Sequence, residues 1–171
     1  MKHSFPPIID ASSRVLILGS LPGDESLRRQ QYYAHPRNQF WRILAEIYGA
    51  PLPATYPDRI ALVLHQQLAL WDVVQHGERA GSLDQAIRNA APNDFHWLLA
   101  SYPNLRAFVF NGRKAHDVFE RQVLPQQTGN GVDHLPRLLM PSTSPAATLP
   151  LSTKIERWRH ITVFQFHQDG S

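Results

Sequence analysis

The chain of 171 residues is 43% hydrophobic and 18% charged, with 17 basic against 14 acidic side chains and no cysteine. The missing cysteines exclude disulfides, zinc–cysteine sites and iron–sulfur clusters, and no apolar stretch approaches the roughly 18–20 residues of a membrane helix. The formal charge of +3 permits a phosphate-binding face without requiring one.

Arginine supplies nearly all of the basic count, since only Lys2, Lys114 and Lys154 are lysines. Arginine pairs with phosphate through a planar fork, which leans towards nucleic acid, although a GC-rich genome would bias the composition in the same way. The length predicts one domain over residues 1–171. The opening MKHSFPPIIDASS has no apolar core of signal-peptide length, so a cytoplasmic location away from membranes is expected. The nine histidines form no H-x-H or H-x-x-x-H pair, and no metal site is expected.

In chain order, residues 14–19 read as a first buried strand that stops at the turn Gly19-Ser20-Leu21-Pro22-Gly23. Residues 36–48 read as a helix, with Pro36 in the first turn and Phe40, Ile43, Leu44 and Ile47 at helical spacing. Residues 58–68 read as a second helix behind Pro57, and 70–74 as a short strand before a polar loop over 75–81. Ser82 is a candidate cap for a short helix, and Asn93 or Asp94 for another containing Phe95, Trp97, Leu98 and Leu99. Residues 105–110 are a third strand, ending at Asn111-Gly112 and leading into a helix over about 113–124. A fourth strand, 135–140, breaks at Pro141-Ser142-Thr143-Ser144-Pro145. A last helix starts near Ser152, and residues 161–166 also alternate like a short strand.

Strands alternating with helices predict an α/β fold, a three-layer sandwich whose central four-stranded parallel sheet is flanked by helices. The polar turns after three of the strands should gather on one edge, where open α/β sheets bind ligands.

Each turn has an ordinary reading. Gly19–Gly23 is either a structural turn or an anion cradle of backbone N–H groups; it is neither a Walker loop nor G-x-G-x-x-G. One of Tyr32 and Tyr33 belongs in the core, but adjacent side chains diverge, which leaves the other to line a pocket. Asn38 could decorate a helix, Asn111 open a turn before Gly112, and residues 142–145 form a plain loop. Their order is more telling: a strand then GSLPG, YYAHPRNQFW, a strand then NGRK, a strand then PSTSPA.

That order resembles the uracil-DNA glycosylase superfamily, and most closely its hypoxanthine (deoxyinosine) DNA glycosylase branch, over about residues 14–158. The mismatch-specific uracil glycosylases share a similar A-H-P-x-N-x-F-W segment. They carry a water-positioning asparagine in the first turn, where this chain has Leu21. The resemblance therefore implies that Asn38 orients the attacking water, with His35 in reserve. It implies that Tyr33 stacks on an extruded base, that Gly19, Ser20, Leu21, Pro22 and Gly23 line the base site, and that Asn111 reads a base edge. Arg113, Lys114, Ser142, Thr143, Ser144 and Pro145 would contact DNA phosphates, the last four also filling the gap in the stack.

The expected partner is double-stranded DNA containing a deaminated base, hypoxanthine or also uracil, with no cofactor. Asp24 and Glu25 are weak candidates for a general base, and no lysine is placed for a Schiff base, which implies a monofunctional glycosylase. A non-catalytic nucleic-acid-binding module of the same fold is the alternative, because fold does not fix function.

Overall fold

The computed structural model describes residues 1–164 apart from 128 and 130, with backbone alone at 85. Its centre is a parallel sheet in which β2 (Val15–Gly19) lies between β3 (Leu68–Asp72) and β6 (Ala107–Asn111), with β7 (Arg137–Met140) outside β6. All residues of β2, β3 and β6 are buried, as continuous apolar runs covered on both faces require. Side chains alternate between two cores. Leu16, Leu18, Ala69, Trp71, Phe108 and Phe110 face one, together with Phe95 and Phe119. Val15, Ile17, Leu68, Leu70 and Val109 face the other, together with Phe40, Leu44, Val63 and Trp158.

Helices α4 (Phe95–Ser101) and α5 (Arg113–Val118) cover the first face; α2 (Phe40–Ile47), α3 (Tyr56–His65) and α6 (Leu151–Trp158) cover the second. The predicted three-layer α/β sandwich with four parallel strands is therefore the observed one. Asp94 caps α4 by accepting a hydrogen bond from Trp97 N at 2.9 Å, as expected of that pair of candidates.

Several boundaries differ, each for a local reason. The second segment becomes helical only at Phe40, because His35–Asn38 closes as a turn (Asn38 N to His35 O, 2.9 Å) and the Asn38 Oδ1 accepts from Phe40 N at 2.9 Å. Helix α3 begins at Tyr56 behind a Thr55 cap and ends at His65, and Leu68 belongs to β3. The expected loop over 75–81 contains a strand, β4 (Val74–Glu78), which pairs antiparallel with β1 (Lys2–His3) and β5 (Arg88–Pro92) in a small second sheet. A short helix, α1 (Asp24–Arg29), follows the first turn, and Ser82 accepts from Asp24 N at 3.0 Å at its start instead of capping its own segment. Helix α5 widens into a π-helical turn over Phe119–Val123. Residues 159–164 form a 3-10 helix where a strand was an option, and Gln165 and Phe166 of that option lie outside the described residues. No helix among the described residues is long and apolar enough to cross a membrane.

Phe108 is fully buried between Phe95 and Phe119, with ring centroids at 6.0 and 5.0 Å. Phe108→Ala should destabilise the fold by about 3–5 kcal/mol through lost burial and a residual cavity. Urea unfolding should show this as a lower midpoint at unchanged slope; a change under about 1 kcal/mol would mean that this core is not packed as described.

Candidate active site

Because all four central strands are parallel, their carboxyl ends open on one edge, where a cleft of about 670 Å³ lies. That size suits a small organic group. The turn Gly19–Gly23 forms one wall, and every carbonyl in it is engaged inside the protein. Gly19 O accepts from Val73 N and Ser20 O from Val74 N; Gly23 O accepts from Leu27 N. The carbonyls of Leu21 and Pro22 both accept from Arg79 Nη2. In a trans peptide the N–H points opposite to the carbonyl, so the N–H groups of Ser20, Leu21 and Gly23 are turned away from these partners; Pro22 has none. The Leu21 side chain is buried in the core, so the turn offers the cleft backbone and not this side chain.

Arg79, with its side chain 1% exposed, also meets Asp84 at 3.2 Å, and Ser20 Oγ donates to the same Asp84 oxygen at 2.6 Å. Burial lowers the Arg79 pKa, while Asp84, Asp72 and Asp24 raise it. Neither Arg79 nor Asp84 stood out in the sequence.

The tyrosine pair divides. Tyr32 is buried, donating through its hydroxyl to Pro6 O at 3.0 Å. Tyr33 lines the cleft with a left-handed backbone (φ 54°), and Phe40 stacks on one ring face at a centroid distance of 4.2 Å. Its hydroxyl is buried beside the Asn111 amide without a hydrogen bond of good geometry, and burial holds its pKa far above the ordinary tyrosine value. His35 also lines the cleft; its Nδ1 accepts from Arg37 N at 3.1 Å, leaving Nε2 as its other polar atom.

Asn38 and Asn111 both line the cleft and are joined through Thr143. Asn111 Nδ2 donates to Thr143 Oγ1 at 3.0 Å, and that hydroxyl donates to Asn38 Oδ1 at 2.8 Å. Thr143 N donates to Asn111 Oδ1 at 2.9 Å, and Thr143 O accepts from Gln39 N at 3.0 Å. Thr143 is fully buried, and its hydroxyl, backbone N–H and C=O are all engaged in these bonds. Asn111 retains one amide hydrogen, because its oxygen and the other hydrogen serve Thr143.

Ser142 and Ser144 accept from Ser144 N (3.1 Å) and Ala146 N (3.2 Å), shaping the loop that Pro145 continues along the cleft. Gly112 has φ 94°, and a Cβ there would lie 3.1 Å from Ser142 Cβ, so only glycine fits comfortably. Beneath the loop, buried Lys154 donates to Gln39 Oε1 at 2.9 Å and Ala147 O at 3.2 Å; burial lowers its pKa. Trp158 Nε1 donates to Pro141 O at 2.9 Å. Arg113 and Lys114 start α5 at the cleft, the former exposed and the latter half-buried.

Asp72, the last residue of β3, also lines the cleft, and its Oδ2 is buried with no hydrogen-bond partner among the described residues. Burial first, then the negative charge of Asp84, pushes its pKa up to about 7 against the pull of Arg79. Its signal in the sequence was a single carboxylate closing the apolar run LALWD. Among the described residues no group of three or more His, Asp or Glu is arranged to hold a metal ion.

Residues 6–162 match the family model of the uracil DNA glycosylase superfamily. A hypoxanthine DNA glycosylase of Methanosarcina acetivorans is 41% identical over 138 residues, covering 75% of this chain and 87% of that protein. One of Methanosarcina barkeri is 44% identical over 115 residues, covering 67% and 73%. The solution NMR structure of a candidate uracil DNA glycosylase from Methanosarcina acetivorans superposes with a TM-score of 0.79 at 34% identity, over 94% of this chain and 96% of that one.

Thr143→Val would keep shape but strand Asn38 Oδ1 and Asn111 Nδ2 without their shared hydroxyl. We predict a loss of about 1–3 kcal/mol in urea unfolding, from two polar groups left underbonded. A valine variant as stable as the parent would show that the chain of hydrogen bonds does not hold the site.

Proposed function

The chain belongs to the uracil DNA glycosylase superfamily and is a monofunctional DNA glycosylase, and we propose that it releases hypoxanthine from deoxyinosine in duplex DNA, with uracil as a second substrate. The observation that carries the residue assignment is the Thr143 bridge. It occupies the Asn38 oxygen, which also takes Phe40 N, and thereby aims the remaining Asn38 amide hydrogens as donors. Two close relatives named as hypoxanthine DNA glycosylases support the choice of base.

In this reading the deaminated nucleotide is flipped out of the duplex, at a cost of a few kcal/mol that is smaller at a mismatch. The base slides onto the ring face of Tyr33 opposite Phe40, which recovers about 1–3 kcal/mol. As the N-glycosidic bond lengthens, negative charge gathers on the base. The N–H groups of Ser20, Leu21 and Gly23 stabilise it as preorganised donors that need no reorientation. Asn38 donates to the oxygen of the attacking water and holds a lone pair towards C1′. His35 is the reserve for that task through Nε2. Asn111 offers its remaining amide hydrogen to a base carbonyl.

Arg113, Lys114, Ser142, Ser144 and Pro145 hold the phosphates and the vacated stack, contacts that position without reading sequence. Residues 1–171 act as one domain in the cytoplasm.

The deciding experiment incubates the protein with duplexes containing deoxyinosine, deoxyuridine or neither. Alkali-labile breaks at deoxyinosine are expected; retarded bands without breaks would favour a binding module, and breaks at deoxyuridine alone would overturn the choice of base. Asn38→Ala should lower single-turnover excision about 10²-fold or more while damaged-DNA binding stays close to that of the parent. If Asn38→Ala keeps its rate and His35→Ala does not, the water belongs to His35. Tyr33→Ala should weaken lesion binding and Tyr33→Phe should not, because the ring face is kept. A Tyr33→Ala protein that merely loses stability would make Tyr33 a core residue.

A further inference from the structure

We propose that Asp72 is a further catalytic residue, whose carboxyl group meets the edge of the extruded base inside the cleft and donates to it as the glycosidic bond breaks. This rests on the glycosylase reading above, and it concerns a residue to which that mechanism gives no role.

The first observation is an unfilled hydrogen-bonding position. Asp72 Oδ2 and the Tyr33 hydroxyl are both buried on residues that line the cleft; the first has no partner among the described residues, and the second has only the poorly aligned Asn111 amide. Buried polar atoms are almost always bonded, so the unfilled Asp72 oxygen marks where a polar ligand edge belongs. The second observation is Gly19. A Cβ at that position would lie 2.7 Å from Asp72 Oδ1 and 3.1 Å from the Tyr33 hydroxyl oxygen. The missing side chain therefore lets the carboxyl, the hydroxyl and the turn converge. In this proposal a base lying on the Tyr33 ring has its edge directed towards that convergence.

Charge decides the form in which Asp72 acts. The base leaves with the electron pair of the C1′–N bond, so an ionised carboxylate beside it would oppose departure, whereas the protonated acid favours it. Asp72 suits the second case because burial and Asp84 favour its neutral form near pH 7. The C1′–N bond breaks, water oxygen bonds to C1′, the Asp72 proton passes to the base, and the proton lost by water goes to solvent, from which Asp72 is recharged. Arg79 and Asp84 face Asp72 from beyond β4, and Tyr32 and Tyr33 from the segment before α2. Glu25 and His35 line the same cleft, as do Arg113, Lys114 and Asp117 of α5.

The test is single-turnover release of hypoxanthine from a deoxyinosine duplex between about pH 5.5 and 9, for the parent, Asp72→Asn and Asp72→Ala. The parent rate should fall about tenfold for each pH unit above about 7. Asp72→Asn keeps a donor that does not titrate, so its profile should be flat through that range and reach or exceed the parent at pH 9. Asp72→Ala should lose about 10²-fold at pH 6. A parent profile flat from pH 6 to 9, or an Asp72→Asn profile that keeps the parent's step, overturns the proposal while leaving the glycosylase reading intact. The parent measurement stands even if a variant misfolds. A parent that releases no hypoxanthine at any pH overturns both.

Discussion

The hydroxyl of Thr143 sets the distance between the two asparagines of the cleft. It receives a hydrogen bond from Asn111 and gives one to Asn38, and its own backbone N–H and C=O are bound to Asn111 and Gln39. Thr143 is excluded from water, so each of these bonds acts in a low dielectric and none can be exchanged for solvent without cost. One side of the bridge is the end of a central strand and the other the entry to α2. The bridge thus converts the rigidity of the parallel sheet into the placement of an amide on a turn that has no regular structure of its own. Lys154 and Trp158 extend that constraint beneath the loop by tying Gln39, Ala147 and Pro141 to α6.

The opposite wall follows the same logic with the roles of backbone and side chain exchanged. There a buried arginine gathers carbonyls, and the free face of the turn is left with N–H groups only. A surface of N–H groups suits a leaving group that gains negative charge, and it asks nothing of the side chain at Leu21. This explains how the turn can carry a leucine that sits in the apolar core. The small antiparallel sheet, which hangs from the end of β3, supplies Arg79 just beyond β4 and so belongs to the site and not to the periphery.

The central sheet was legible in the residues because fully buried strands are written as unbroken apolar runs. VLILG and AFVFN announce themselves and stop at polar turns, whereas the strand expected over 70–74 lies at Leu68–Asp72 and the polar stretch after it is β4. Strands β4 and β5 were not legible: QHGE and RNAAP carry little apolar alternation, and what makes them strands is backbone pairing with each other and with β1. The late start of α2 was hidden for another reason. Pro36 fits a first helical turn equally well, and only the side-chain bonds of Asn38, one of them to a residue far along the chain, tip the segment into a turn. Tyr33 and Asn38 were singled out by the family resemblance that the order of the motifs carries. Asp72 and Arg79 were not, since an acid at a strand end and an arginine in a polar stretch are commonplace until burial is known.

The bond between Thr143 and Asn38 spans 105 positions. A growing polypeptide therefore presents the turn, the aromatic pair and Asn38 long before the hydroxyl that binds Asn38 has been synthesised. Contacts of such separation form late, after the strands between them have docked. A nascent or truncated chain that stops short of residue 143 carries most of the recognisable motif yet lacks the geometry that gives the motif meaning. The hydrogen-bonded geometry around Asn38 accordingly arises only when the fold is nearly complete.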